Sequence, residues 1–181
     1  MWFYRFFLIG FLYCYSIAAV AQESNGCFAE ALAKENTMRK EAFTKMYVPG
    51  QKANNATIGT QQLYDIESKT TVLVFWKTDC PFCKNLIAVL EETVQKESLN
   101  EVKIVAVCLD TEIVTWQEQS FVKMKHPSLI NICDGKGYFG EVASKYHVYA
   151  TPTMILLDEN HCFKKLPKGI EELKKILKNE E

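Results

Sequence analysis

The stretch "FWKTDCPFCKN", Phe75–Asn85, puts two cysteines three positions apart directly after an apolar run. The residues leading into it, "TVLVFW" (Thr71–Trp76), are continuous, apolar and rich in β-branched side chains. That is the pattern of a strand buried on both faces. Beyond the cysteines, Leu86, Leu90 and Val94 recur at four-residue spacing with Ile87 beside them, while Lys84, Asn85, Glu91, Glu92 and Gln95 are polar. This predicts an amphipathic helix. Cys80 therefore falls in, or just before, the first turn of a helix, where unpaired backbone N–H groups favour a thiolate over a thiol. The helix dipole contributes about 0.3–1 kcal/mol at an exposed site. At about 1.36 kcal/mol per pKa unit that is less than one unit, so a reactive thiolate there also needs hydrogen bonds or positive neighbours. Two intervening residues let the second sulfur reach the first within one turn, so Cys83 can resolve a mixed disulfide formed at Cys80.

Other uses of the pair fit less well. A zinc site needs a second pair of ligands, and none of the remaining cysteines forms another C-x-x-C. His126, His147 and His161 show no ligand spacing either. A purely structural Cys80–Cys83 bridge closes a tiny loop and stabilises little. A redox dithiol remains, and neither a metal nor an organic cofactor is expected.

The rest of the chain supplies a frame for it. "QQLYDI" (Gln61–Ile66) reads as a short strand and "VKIVAVCL" (Val102–Leu109) as a second buried one. Asp110 is placed to cap a helix over "TEIVTWQEQSFVKMK" (Thr111–Lys125), which stops before Pro127. "SLINIC" (Ser128–Cys133) is a third strand, and Phe139, Val142, Ala143 and Tyr146 mark one face of a third helix. "TMILLD" and "CFKKL" flank the turn residues Asp158–His161 as a hairpin, and Ile170, Leu173 and Leu177 define a last helix. The order βαβαβαββα implies an α/β fold: a mixed, mostly parallel central sheet with an antiparallel edge and helices on both faces.

The N-terminus reads as an export signal. Arg5 is the only charge before "FFLIGFLYCYSIAAV", and the run ends in an A-x-A pattern at Ala19–Ala21. It falls short of the ~20 apolar residues that span a bilayer. The alternative is an uncleaved membrane anchor. The expected division is residues 1–21 as signal peptide, 22–55 as a helical leader and 56–181 as the main domain. Phe28, Leu32, Phe43, Met46 and Tyr47 line part of one face of that leader, and Pro49, Gly50 and two asparagines end it. Asn55-Ala56-Thr57 matches a glycosylation acceptor, a triplet common by chance. Losing Cys14 with the signal leaves Cys27, Cys80, Cys83, Cys108, Cys133 and Cys162. A chain of 181 residues with 48% hydrophobic content has a real core, so this is no disulfide-stapled miniature scaffold. Its net charge of −1 gives no electrostatic case for nucleic acid.

With these pieces in place, residues 56–179 resemble the exported TlpA-like thiol–disulfide oxidoreductases of the thioredoxin-fold superfamily. The matching segments are "VLVFWKTDCPFCK", "IVAVCLD" with the extra helix–strand unit that follows, and "VASKYHVYATPTMILLDEN". The resemblance implies a three-layer thioredoxin-like fold in which the C-x-x-C faces a cis-proline loop. It makes Cys80 the nucleophile, Cys83 the resolving thiol and Pro152, between Thr151 and Thr153, the cis-proline. Thr151, Pro152 and Phe82 are then expected to contact substrate. It further implies a monomer acting on cysteine-containing exported proteins and recharged by a membrane thiol relay, without metal or nucleic acid. The sequence departs from its relatives in three places. Asp79 stands where a tryptophan is usual before the first cysteine, and its charge opposes a thiolate at Cys80 unless Lys77 or Lys84 approaches to offset it. Val74 stands where thioredoxins bury an aspartate, and Leu86 where some relatives carry a glutamate, so proton handling at Cys83 is unassigned.

Trp76 is expected in the core, and Cys108 as a buried free thiol. Cys108 and Cys133 both fall near strand ends, which puts a secondary disulfide within consideration. A second reading of the whole chain is a non-catalytic thioredoxin-fold module holding extended peptides or cysteine-containing proteins in the cis-proline groove. Cleavage of the signal has a direct readout. Protein isolated from its native host should begin at or near Gln22, whereas a chain that keeps Met1 and stays with the membranes overturns the export reading.

Overall fold

The computed structural model describes residues 30–96, 99 and 101–179. The export signal, Cys14 and Cys27 lie outside the described residues. Packing divides the chain into two compact units, Met1–Arg39 and Lys40–Glu181. The second begins inside the stretch read as a leader. Residues 30–46 are helical (α1), and within the second unit Phe43 meets Tyr149 edge-on with ring centroids 5.8 Å apart.

Strand β3 (Thr70–Trp76) is the hub. All seven of its residues are buried, so its backbone groups have no route to water and must find partners in the sheet. On one side β3 pairs in parallel with β4 (Val102–Cys108), and on the other antiparallel with β6 (Thr153–Asp158). Strand β5 (Leu129–Cys133) extends the parallel side and β7 (Phe163–Lys165) the antiparallel one, giving the order β5-β4-β3-β6-β7. The expected mixed sheet is present, with β5 and β7 as its edges.

Side chains alternate across these strands and split the core into two layers. Leu73, Phe75, Val105, Val107, Ile155 and Leu157 face one layer, which Phe43, Tyr146 and Phe163 complete with α5 (Glu141–Lys145). Val72, Val74, Trp76, Ile104, Ala106 and Cys108 face the other. There they meet Leu86 and Leu90 of α2 (Pro81–Lys96) and Leu173 and Leu177 of α6 (Ile170–Asn179). Burying each such leucine is worth roughly 1.5–3 kcal/mol.

Three segments differ from the sequence reading. Of "QQLYDI", only Gln61–Gln62 is strand (β2), paired with β1 (Thr57–Ile58), and Leu63–Asp65 curls into a 3-10 turn. The Asp65 carboxylate accepts the Gln62 N–H at 2.9 Å, Leu63 is fully buried, and Asn55 accepts the Tyr64 N–H at 3.2 Å. The single helix expected over Thr111–Lys125 is two, α3 (Ile113–Gln117) and α4 (Ser120–Lys123), with Gln119 extended between them (φ −67°, ψ 139°). Positions 116 and 121 would lie about 140° apart on one straight helix. Half-buried Trp116 and fully buried Phe121 nevertheless both pack on the layer below α2, so the helix must break. Third, Phe139 is 70% exposed in a 3-10 turn before α5, although Val142, Ala143 and Tyr146 are buried as expected.

The two layers predict a contrast. Leu90→Ala, at a fully buried site, should cost about 2–5 kcal/mol of stability. Phe139→Ala should change it by no more than about 0.5 kcal/mol. Urea unfolding curves of the two variants test the assignment, and equal costs would contradict it.

Candidate active site

Strand β3 ends at Trp76, and α2 begins five residues later with Pro81. Proline suits a first helical position because its fixed φ is already helical and its missing N–H would lack a partner there. The link Lys77–Cys80 closes with the Cys80 N–H donating to the Lys77 carbonyl at 3.4 Å. Cys80 is left half-buried at the head of the helix, and Cys83 lies one turn inside, fully buried. The two sulfurs are joined in a disulfide whose Cα atoms are 5.2 Å apart. The Cys83 N–H donates to Cys80 Sγ at 3.2 Å. A helix-end donor is therefore already aimed at the sulfur that would carry negative charge on reduction.

The second wall of the site comes from the start of β6. Register sets Thr153 opposite Phe75, and the Thr151–Pro152 peptide bond just before it is cis. The Thr151 carbonyl oxygen lies 3.6 Å from Cys80 Sγ. The Thr153 hydroxyl donates to the Ala150 carbonyl at 2.8 Å and ties the loop to itself. Phe82 is 75% exposed. With Pro152, Met154 and Ile170 it lines a groove of about 740 Å³ beside the disulfide. Cys80, Cys83, Phe82, Thr151 and Pro152 thus lie in one neighbourhood. Cys162 sits apart, beside an isolated bridge to Lys52.

Of the two lysines placed to offset Asp79, Lys77 does so. Asp79 is 72% exposed and pairs with Lys77 at 3.1 Å. Hydrogen bonding to Asp79 holds the Lys77 ammonium above its usual pKa. The carboxylate expected to oppose a thiolate is thus matched by a cation in the same loop, and the exposed pair itself is worth about 0–1 kcal/mol. Val74 and Leu86 are fully buried in apolar packing.

Sequence reasoning assigned Asp110 to the wrong task. The N-cap of α3 is Glu112, and Asp110 turns the other way, accepting the Thr78 N–H at 3.2 Å through Oδ1. It is only 6% exposed, and its Oδ2 is buried without a partner. Such an oxygen costs about 1–3 kcal/mol or more. The sequence signal was its place: an acid directly after a buried parallel strand, at the strand ends where α/β proteins build their sites. Trp76 is in the core as expected, edge-on to Phe121 with centroids 6.1 Å apart.

The Redoxin family profile matches residues 42–179. The chain belongs to the Redoxin family. Among curated relatives of this redoxin, Sporulation thiol-disulfide oxidoreductase A of Bacillus subtilis (strain 168) is 29% identical over 94 residues. That match spans 51% of this chain and 55% of the relative, so the chain covers about half that protein's length. Among solved structures, the C-terminal domain of a Bacteroides thetaiotaomicron protein, provisionally a thiol-disulfide oxidoreductase, superposes with a TM-score of 0.63 at 22% identity. The superposition covers 74% of this chain and 96% of that one. A thiol:disulfide interchange protein from Bacteroides sp. gives a TM-score of 0.59 at 18% identity, over 74% of this chain and 90% of its own. The redoxin therefore shares the thioredoxin-like fold of thiol–disulfide oxidoreductases.

The unequal exposure of the two cysteines sets their expected roles. Cys83→Ser should accumulate mixed disulfides with client proteins on non-reducing gels, and Cys80→Ser should not. Trapping by the Cys80 variant instead would reverse the assignment.

Proposed function

We propose that this redoxin is an exported thiol–disulfide oxidoreductase that reduces disulfides in cysteine-containing proteins. The observation that carries the reading is one half-exposed sulfur, Cys80, 3.6 Å from the Thr151 carbonyl of the cis-proline loop, with its partner Cys83 buried behind it and with Phe82 and Pro152 lining a groove. In the reduced protein the Cys80 thiolate attacks a substrate disulfide, one substrate sulfur leaves as a thiolate, and a mixed disulfide forms. Cys83 then attacks Cys80 Sγ and releases the second substrate thiol. The chain ends as the Cys80–Cys83 disulfide, the state of the structure. A substrate segment lying in the groove would meet Phe82 and Pro152 with its side chains and the cis-proline loop with its backbone. The N-terminal apolar run supports export to an oxidising compartment such as a bacterial periplasm, where a membrane thiol relay would supply the two electrons of each cycle. Among the described residues no helix is long and apolar enough to cross a membrane.

Turnover of insulin disulfides with dithiothreitol separates this reading from a non-catalytic peptide-holding module. The wild type should accelerate insulin precipitation and Cys80→Ser should fall to the uncatalysed rate. Equal rates for both would favour the binding module.

The direction of electron flow has its own measurement. An unmatched carboxylate beside Cys80 would destabilise the thiolate and favour a reductant, but Lys77 matches Asp79, so the proposed direction rests on the family resemblance. Equilibration with glutathione buffers should give a potential nearer about −270 mV, as in thioredoxin, than the roughly −120 mV of a strong oxidant. A value near the oxidising end would reverse the direction and leave the reaction class intact.

A further inference from the structure

Cys108 ends β4 and Cys133 ends β5, and the parallel register pairs the two residues directly. Neighbouring strands lie about 4.7–4.9 Å apart. That spacing falls inside the roughly 4.4–6.8 Å Cα window in which a disulfide closes without moving the backbone. Both residues are free thiols. The same register sets Trp76 opposite Cys108, so Trp76, Cys108 and Cys133 form one row across three strands, on the face that also packs Cys83.

Access to the two thiols is unequal, as it is for the first pair. Cys108 is 1% exposed. Cys133, at the end of the edge strand β5, is half-buried and keeps contact with solvent. Its Sγ lies 3.6 Å from the Asp110 carbonyl oxygen. Burial raises both thiols above the ordinary range, and hydrogen bonding to the Gly135 backbone and to the Cys108 side chain draws Cys133 partly back. The Asp110 carboxylate acts on the Cys108 thiol and carries the unpartnered, buried Oδ2.

We propose that Cys108 and Cys133 are a second redox-active dithiol, which closes to a disulfide when a small-molecule disulfide reaches the partly exposed Cys133 at the sheet edge. Cys133, as thiolate, attacks one sulfur of the reagent; the reagent's S–S bond breaks, one reagent thiolate leaves, and a mixed disulfide forms at Cys133. Cys108 gives its proton to Asp110 and attacks Cys133 Sγ, displacing the second reagent thiolate. Two protein thiols are oxidised and one reagent disulfide is reduced to two thiols, which take up the two protons through solvent. The bridge ties the edge strand β5 to β4; with both pairs reduced the domain holds four exchangeable electrons, where Cys80 and Cys83 alone hold two. The inference stands apart from any activity at Cys80, and its test removes that pair.

The full chain carrying Cys80→Ser and Cys83→Ser, shown by circular dichroism to keep its fold, is reduced, desalted and treated with cystamine. Free thiols are then alkylated under denaturing conditions and the peptides mapped by mass spectrometry. The expected result is a peptide joined at Cys108 and Cys133, with two cysteamines released per bridge. Adding Cys108→Ala should halt the reaction at a stable cysteamine adduct on Cys133. A stable Cys133 adduct beside an alkylated Cys108 in the chain that keeps Cys108 overturns the proposal. So does full alkylation of both residues, or a bridge from either of them to Cys27 or Cys162.

Discussion

Hydrogen bonding between β3 and β6 is the constraint from which the site follows. With Thr153 opposite Phe75 and Met154 opposite Val74, the residues before β6 must emerge beside the residues after β3. That brings the Thr151 carbonyl to Cys80 Sγ, although 71 positions separate the two in sequence. A slip of one residue would turn Met154 and Leu156 out of the layer under α2 and into the opposite one. The hydrophobic alternation that fills the core is thus the same information that aligns the redox loop with the proline loop.

The unequal environments of Cys80 and Cys83 come from the helix that carries them. Three residues along α2 take a side chain from its exposed head to the face shared with Trp76 and Leu86. No carboxylate stands at position 74 or 86, where relatives place one, and both sites are filled by apolar side chains. The buried acid on this side of the molecule is Asp110, bound to the redox loop through the Thr78 N–H. Its unpaired oxygen is an energetic cost that local folding does not require, and Asn at this position would keep the shape while removing the charge.

Features that depend on neighbours in sequence were legible, and those that depend on neighbours in space were not. Strand β3 announced itself as a run of residues with no polar face, and α2 by the four-residue recurrence of Leu86, Leu90 and Val94. The proline loop was found through its resemblance to relatives, since nothing local to Thr151 and Pro152 says which loop they face. The break at Gln119 was invisible because "TEIVTWQEQSFVKMK" has good helix formers throughout. What splits it is the demand that Phe121 sit under Trp76. Lys77 and Lys84 were both legible as candidates to offset Asp79, and it is the turn geometry that brings Lys77 to it. Asp110 looked like a cap because caps are the commonest use of an aspartate after a strand. Only the loop folding back from β3 gave it another partner.

The two edges of the sheet are guarded differently: at β7 the Phe163 N–H and carbonyl are already bonded to Gln51 and Gly50, whereas no strand pairs with the outer side of β5 among the described residues. β7 is three residues long and carries Lys164 and Lys165, charges that a docking strand would have to bury. β5, "LINIC", has none. Its protection lies at its ends: Lys125 and Pro127 before it, Asp134 and Lys136 after it. Those four residues act as gatekeepers against intermolecular β-pairing. Their loss would leave the fold's interior untouched and change instead how the protein behaves at high concentration, through self-association along a five-residue seam.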